Sequence, residues 1–110
     1  MSVNFVLIMN HQDVLFVRVY LTEAKQAQLK QLLKVLHDDY HISGVTLFRG
    51  ISGFGDSRQL HEAHLLDLSL DLPIALEFFD EAEKIKPVLV YLEQEMKPGH
   101  WVYWPARTGT

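Results

Sequence analysis

The sequence predicts an α+β fold of the ferredoxin-like type, and three observations lead to this prediction. Runs rich in β-branched and aromatic residues indicate four strands. Apolar residues that recur at helical spacing indicate two amphipathic helices. The predicted order is β-α-β-loop-β-α-β, which is typical of an antiparallel sheet with both helices on one face. Such a fold does not by itself define a function.

Three strands and the first helix follow from local residue preferences. Strands are predicted over 14–21, over 45–49 and over 74–79, where β-branched and aromatic residues are frequent. Thr22 offers an N-cap for a helix over 23–39. The apolar face of this helix consists of Leu29, Leu32, Leu33, Leu36 and Tyr40.

The second helix is predicted to begin at Asp80. Asp80 and Glu83 have the spacing of a capping box, in which two side chains satisfy free backbone amides. Pro87 then lies well past the first turn, so it either kinks the helix or marks where the regular helix begins. The apolar face of the helix consists of Ile85, Val88, Leu89, Leu92 and Met96.

The last strand is predicted over 100–104 and is unusually aromatic. Pro105 is expected to end it. Trp101 and Trp104 should face opposite sides of the strand. We therefore expect at least one of them to pack in the core or at a subunit interface, where tryptophan buries a large area.

The composition excludes several classes of function. The 110 residues fit one globular domain, and their net charge of -4 argues against a nucleic-acid groove, which needs a dense basic face. The absence of cysteine excludes disulfides, zinc–thiolate sites and thiol catalysis. It also fits a cytoplasmic protein.

An apolar segment over 3–9 precedes the first strand. It is too short to span a bilayer and lacks the features of a signal peptide, so no direct membrane insertion is expected. We predict an N-terminal arm or extra strand over 1–12, followed by the folded domain over 13–107. An exposed apolar strand would need to be covered, for example by another subunit.

The loop after the second strand carries three glycines with an arginine on either side. Glycine reaches positive φ without steric cost, so several backbone N–H groups could face one anion. Arg49 and Arg58 could donate bidentate hydrogen bonds to a phosphate or carboxylate. The alternative is a tight turn that binds nothing, with Arg49 paired to Glu77 or Asp80 across the sheet. The three glycines are Gly50, Gly53 and Gly55.

Three further side chains near this loop are candidates for binding. Phe54 could stack on a base or pack beneath the loop. His61 and His64 would share a face on a helical turn and could bind a metal with Asp67, but they would point to opposite faces on a strand. No metal is predicted, because no third ligand is certain. The histidines could instead contact a ligand, respond to pH or hydrogen-bond within the loop. The segment 65–70 is predicted as a short strand or the returning arm of the loop.

Several sequence blocks resemble the uncharacterised PII-like family, domain of unknown function 190. They follow one another in the family's order and spacing and cover about half of the chain. The blocks are GVTLFRGISGFG from Gly44, QLHEAHLL from Gln59, LSLDLPI from Leu68, and FDE and EKI from Phe79 and Glu83.

The resemblance implies a homotrimer whose loop after the second strand meets a cleft between subunits, where nucleotides bind and partner proteins are contacted. The segment 50–64 holds that position in this chain. The residues expected to bind a small anionic ligand, a nucleotide, are Arg49, Gly50, Gly53, Phe54, Gly55, Arg58, His61 and His64.

A regulatory rather than an enzymatic role is the function that the resemblance implies. Many members of the family are encoded beside fluoride-exporting channels, which implies a fluoride-exporting or other membrane transporter as the regulated partner. Two alternatives remain open from the residues alone. One is a small-molecule enzyme with a loop histidine as general base, and the other is a purely structural oligomeric adaptor.

Overall fold

The computed structural model describes residues 11–53, 61–62 and 72–109. Within these residues, two helices lie among six strands. A 3₁₀ turn leads into α1 and a π-helical turn continues it. The strands are β1 (His11–Thr22), β2 (Val45–Arg49), β3 (Ser52–Gly53), β4 (His61–Glu62), β5 (Pro73–Asp80) and β6 (Trp101–Gly109), and the helices are α1 (Gln26–Lys34) and α2 (Ala82–Glu95), with the 3₁₀ turn at Glu23–Lys25 and the π turn at Val35–Asp39.

Four strands form one antiparallel sheet in the order β2-β5-β1-β6, while β3 and β4 form a separate two-stranded ribbon. Both helices pack against the same face of the large sheet. The predicted α+β ferredoxin-like fold is therefore confirmed. No helix within 11–53, 61–62 or 72–109 is long and apolar enough to cross a membrane.

The hydrophobic core lies between this sheet face and the helices. Alternate residues of β1 and β5 point into it, because side chains along a strand alternate between its two faces. Fully burying an aliphatic side chain stabilises the fold by about 1.5–3 kcal/mol relative to leaving it exposed. The central members of the core are Val17, Val19, Leu76, Phe78, Leu32, Leu36, Ile85, Val88 and Leu92.

The last strand runs further than predicted. It continues through Pro105, which pairs with Leu15 of β1, to Gly109, so the predicted end at Pro105 is wrong. The proline is tolerated because β6 is the edge strand of this sheet and needs only one hydrogen-bonded neighbour.

The predicted starts of both helices also need correction. Thr22 makes no side-chain capping hydrogen bond, and the first helical segment opens as a 3₁₀ turn before α1 begins. Asp80 is the last residue of β5, and Glu81 is the N-cap of α2 without a side-chain capping bond, so the capping box is wrong. Because α2 begins at Ala82, Pro87 lies inside it, and the alternative of a regular helix starting near Pro87 is wrong as well.

Two predicted segments lie outside the described residues. They are the N-terminal arm, apart from its last two positions, and the segment 65–70.

Candidate functional site

The base of the glycine loop lies at the border of the four-stranded sheet where β1 and β2 end and β5 begins. Strands β1 and β2 both run antiparallel to β5, so their last residues lie beside the first residues of β5. In the register, Thr22 of β1 is opposite Pro73 of β5, and Arg49 of β2 is opposite Ile74. The start of the loop, its return into β5 and the first helical turn therefore meet at this border.

Two backbone hydrogen bonds close the loop at its base. The Gly50 N–H donates to the Pro73 carbonyl over 2.8 Å, and the Glu23 N–H donates to the Leu72 carbonyl over 2.9 Å. Both ends of the loop are thereby attached to the folded domain.

Gly50 has a different role from the one predicted. Its φ is not positive, and its N–H is already engaged with Pro73, so in this structure that amide is not presented to an anion. A Cβ at this position would lie 2.7 Å from Pro73 Cγ. The glycine is therefore needed because the Pro73 ring occupies the space of a Cβ, not because of a left-handed conformation.

Arg49 forms an ion pair with Glu23, in which Nε and Oε1 are 2.5 Å apart. The predicted alternative of Glu77 or Asp80 as its partner is wrong. Arg49 lies on the helix-facing side of the sheet, whereas Glu77 lies on the other side, and Asp80 is at the far end of β5. Glu23 was missed by sequence reasoning, although its place directly after the first strand puts it at the same sheet border as Arg49.

The two members of this ion pair differ strongly in exposure. The Arg49 side chain is 70% exposed and the Glu23 side chain 23% exposed. Glu23 Oε1 is buried, and within the described part of the chain no hydrogen bond of good geometry satisfies it. The guanidinium is the group of Arg49 that could donate hydrogen bonds to a phosphate or carboxylate, and Glu23 already engages its Nε.

Gly53 and His61 are brought together by the β3–β4 ribbon, in which they form a cross-strand pair. His61 lies on a strand, so the helical-turn arrangement considered for the two histidines is wrong at this residue. Across 11–53, 61–62 and 72–109, no three His, Cys, Asp or Glu side chains are placed to hold a metal ion. Four predicted site residues lie outside the described residues: Phe54, Gly55, Arg58 and His64.

A second surface is the open face of the large sheet, which we define by Phe16, Arg18, Glu77, Phe79 and Trp104. The Phe16 ring stacks on Trp104 and on Phe79, with centroids 4.7 Å and 5.9 Å apart. Arg18 lies 5.5 Å from the Trp104 ring centroid and its Nε is 2.5 Å from a Glu77 carboxylate oxygen.

The charge on this open face is locally compensated. Hydrogen bonding to Tyr20 and then to Glu77 raises the pKa of Arg18 above its ordinary value.

Trp104 belongs to this open face, whereas Trp101 packs against the core on the other side of β6, so the prediction that the two tryptophans face opposite sides is confirmed.

Solved structures with the same architecture show which proteins share this fold. The structure of CPII bound to ADP and bicarbonate, from Thiomonas intermedia K12, aligns with a TM-score of 0.65 and 22% identity over 91% of this chain and 92% of that one. A putative PII-like signaling protein from Thermus thermophilus aligns with a TM-score of 0.56 and 15% identity over 93% of each chain. The fold is therefore that of PII-like proteins.

Sequence comparison gives the family. The model of DUF190, described as an uncharacterised family, matches residues 14–108, and the chain belongs to this family. A UPF0166 protein of Aquifex aeolicus is 31% identical over 86 residues, which cover 76% of this chain and 78% of that protein.

Proposed function

We propose that this protein is a PII-like regulatory protein that binds a small anionic ligand, a nucleotide, at a cleft between the subunits of a homotrimer. The observation that carries the proposal is the exposed Arg49 guanidinium at the closed base of the glycine loop. The T. intermedia protein of the same fold is described as bound to ADP and bicarbonate, which supports an anionic ligand in this class.

Binding is proposed to order the loop and so to change the surface that a partner contacts. Arg49 would contact the phosphates. The other predicted loop residues would complete the site, namely Gly50, Gly53, Phe54, Gly55, Arg58, His61 and His64. The proposed partner is a membrane transporter, for which the fluoride exporters that accompany the family are the first candidates, and the proposed location is the cytoplasm.

The exposed aromatic side chains on the open face of the sheet support the proposal of a homotrimer. Phe79 is 44% exposed and Trp104 36% exposed, so large aromatic side chains remain in contact with water in the single chain. The two charges beside them, Arg18 and Glu77, neutralise each other. A neutral aromatic surface of this kind suits another copy of itself, because no net charge has to be desolvated on association.

The test is calorimetric titration of the protein with ADP, ATP, AMP and GDP, with and without bicarbonate, in samples whose oligomeric state is measured by light scattering. We expect binding of at least one nucleotide and roughly tenfold or greater weakening in Arg49→Ala, since a hydrogen bond to a charged group contributes about 1.5–3 kcal/mol. The control is Lys86→Ala, which removes another paired cation, on α2.

Lys86→Ala is expected to bind as the unchanged protein does. Absence of any heat or thermal shift with all four nucleotides, from a sample shown to be trimeric, would overturn the proposal.

A further inference from the structure

We propose that Glu23 is a built-in competitor of the ligand for Arg49, so that an incoming anion must take the guanidinium from this carboxylate. This inference rests on the proposed function and adds a residue that sets the affinity and charge selectivity of the same site.

In the ion pair, a carboxylate oxygen already lies beside the guanidinium, where an oxygen of an anionic ligand would have to lie. Glu23 Oε1 lies 2.5 Å from Arg49 Nε, as an oxygen of a bound carboxylate or phosphate would. The ligand and Glu23 therefore offer the same kind of atom to the same donor group. While Glu23 holds Arg49, part of the positive charge of the guanidinium is already compensated.

The environment of the carboxylate makes this competition costly for the ligand. Glu23 Oε1 is buried, and no hydrogen bond among residues 11–53, 61–62 and 72–109 satisfies it, so the nearby Arg49 charge is what compensates it. If Arg49 left, the charge on this buried oxygen of a partly exposed side chain would be uncompensated, which disfavours the separation of Glu23 from Arg49. A polyanionic ligand would also be repelled by the Glu23 charge at short range.

The position of the pair links this competition to the loop. The Glu23 N–H holds Leu72 at the end of the loop, while Arg49 is followed directly by Gly50, whose N–H holds Pro73. The ion pair thus joins the first helical turn to the residue that begins the loop. Transfer of Arg49 from Glu23 to a ligand would release this side-chain link at the base of the loop.

The test compares ADP with uncharged adenosine in calorimetric titrations of the unchanged protein and Glu23→Gln. The glutamine keeps the size of the side chain and leaves the backbone bond to Leu72 in place, but removes the charge. We expect ADP to bind about three- to tenfold more tightly to Glu23→Gln, with little change for adenosine. The gain should shrink in the double variant with Arg49→Ala, because Glu23 acts through Arg49.

Glu83→Gln is the matched control, since Glu83 pairs with Lys86 on an exposed turn of α2. It is expected to leave ADP affinity unchanged. If ADP binds the unchanged protein and Glu23→Gln binds it equally or more weakly while remaining folded, Glu23 is not a competitor, although the proposed function stands. If neither ADP nor any other nucleotide binds any variant, the proposed function fails and the inference fails with it.

Discussion

The surrounding structure constrains the identity of Gly50 through a direct contact with Pro73. The Cγ of Pro73 occupies the space where a Cβ would lie, at 2.7 Å, and the Gly50 amide is held by the Pro73 carbonyl. A side chain can be accepted only if the Pro73 ring or the backbone at the base of the loop moves. The absence of a side chain at Gly50 therefore allows the start of the loop to lie in contact with Pro73, the first residue of β5.

At this scale we predict that Gly50→Ala lowers the free energy of unfolding by about 1–3 kcal/mol, as overpacking of a close contact does. Gly44→Ala is the control, because nothing lies within 4 Å of its would-be Cβ and its φ is not positive. That substitution should be neutral or slightly stabilising. Chemical denaturation of both variants measures the difference, and equal stability of the two would contradict the steric role of Gly50.

The junction between β5 and α2 is the element-scale feature with the clearest electrostatics. The Asp80 carboxylate accepts hydrogen bonds from the Glu81 N–H at 2.8 Å and from the Ser43 N–H and hydroxyl at 3.3 Å. Lys84 Nζ lies 3.6 Å away. Burial opposes ionisation, but these hydrogen bonds and the Lys84 charge outweigh it and lower the pKa of Asp80. One carboxylate thereby joins the segment before β2 to the start of α2.

We therefore predict that Asp80→Asn destabilises the protein by roughly 1 kcal/mol at neutral pH. A lowered folded-state pKa means that the ionised form stabilises the fold, so the contribution is complete above the ordinary carboxyl pKa of 3.8. It is lost as the pH falls through the lower folded-state pKa. The stability difference from the unchanged protein should accordingly shrink below about pH 4.

Denaturation curves from pH 3 to pH 7 test this prediction, with Asp13→Asn as control because that side chain is 86% exposed. A deficit in Asp80→Asn that is the same at every pH would show that the lost interaction does not depend on the charge.

At the scale of the whole molecule, the sheet has one covered and one open face. The helices bury the first, while the second leaves Phe79 and Trp104 partly exposed beside the Arg18–Glu77 ion pair. This asymmetry is what a two-layer α+β chain produces when its open face is not polar.

We predict that Phe79→Glu dissociates the proposed homotrimer, because a charge would have to be buried against another copy. Val90→Glu is the control: Val90 is 55% exposed and lies on α2, away from the open sheet face. Light scattering over a range of protein concentrations measures the mass of each variant, and circular dichroism checks that Phe79→Glu is folded. A trimer that survives Phe79→Glu unchanged would place the interface elsewhere.

Much of the fold could be predicted from local patterns, whereas the contacts of the site could not. Helical spacing of leucines and runs of β-branched residues are short-range signals, and they located the main elements of the sheet and both helices. The partner of Arg49 depends on which residues lie at the same ends of the strands. Glu23 lies there, although it is far from Arg49 in the chain. The role of Asp80 likewise depended on where β5 ends, a boundary that local propensity resolves poorly.

By itself, the sequence determined the order of the elements, the absence of thiol chemistry and membership of the family, because these follow from composition, periodicity and contiguous motifs. Only the tertiary structure decided that Gly50 serves a close approach to Pro73, that β6 passes through Pro105 at a sheet edge, and that Glu23 holds Arg49. The physical reason is that strand register and burial are properties of the assembled sheet. They bring together residues that no local pattern connects.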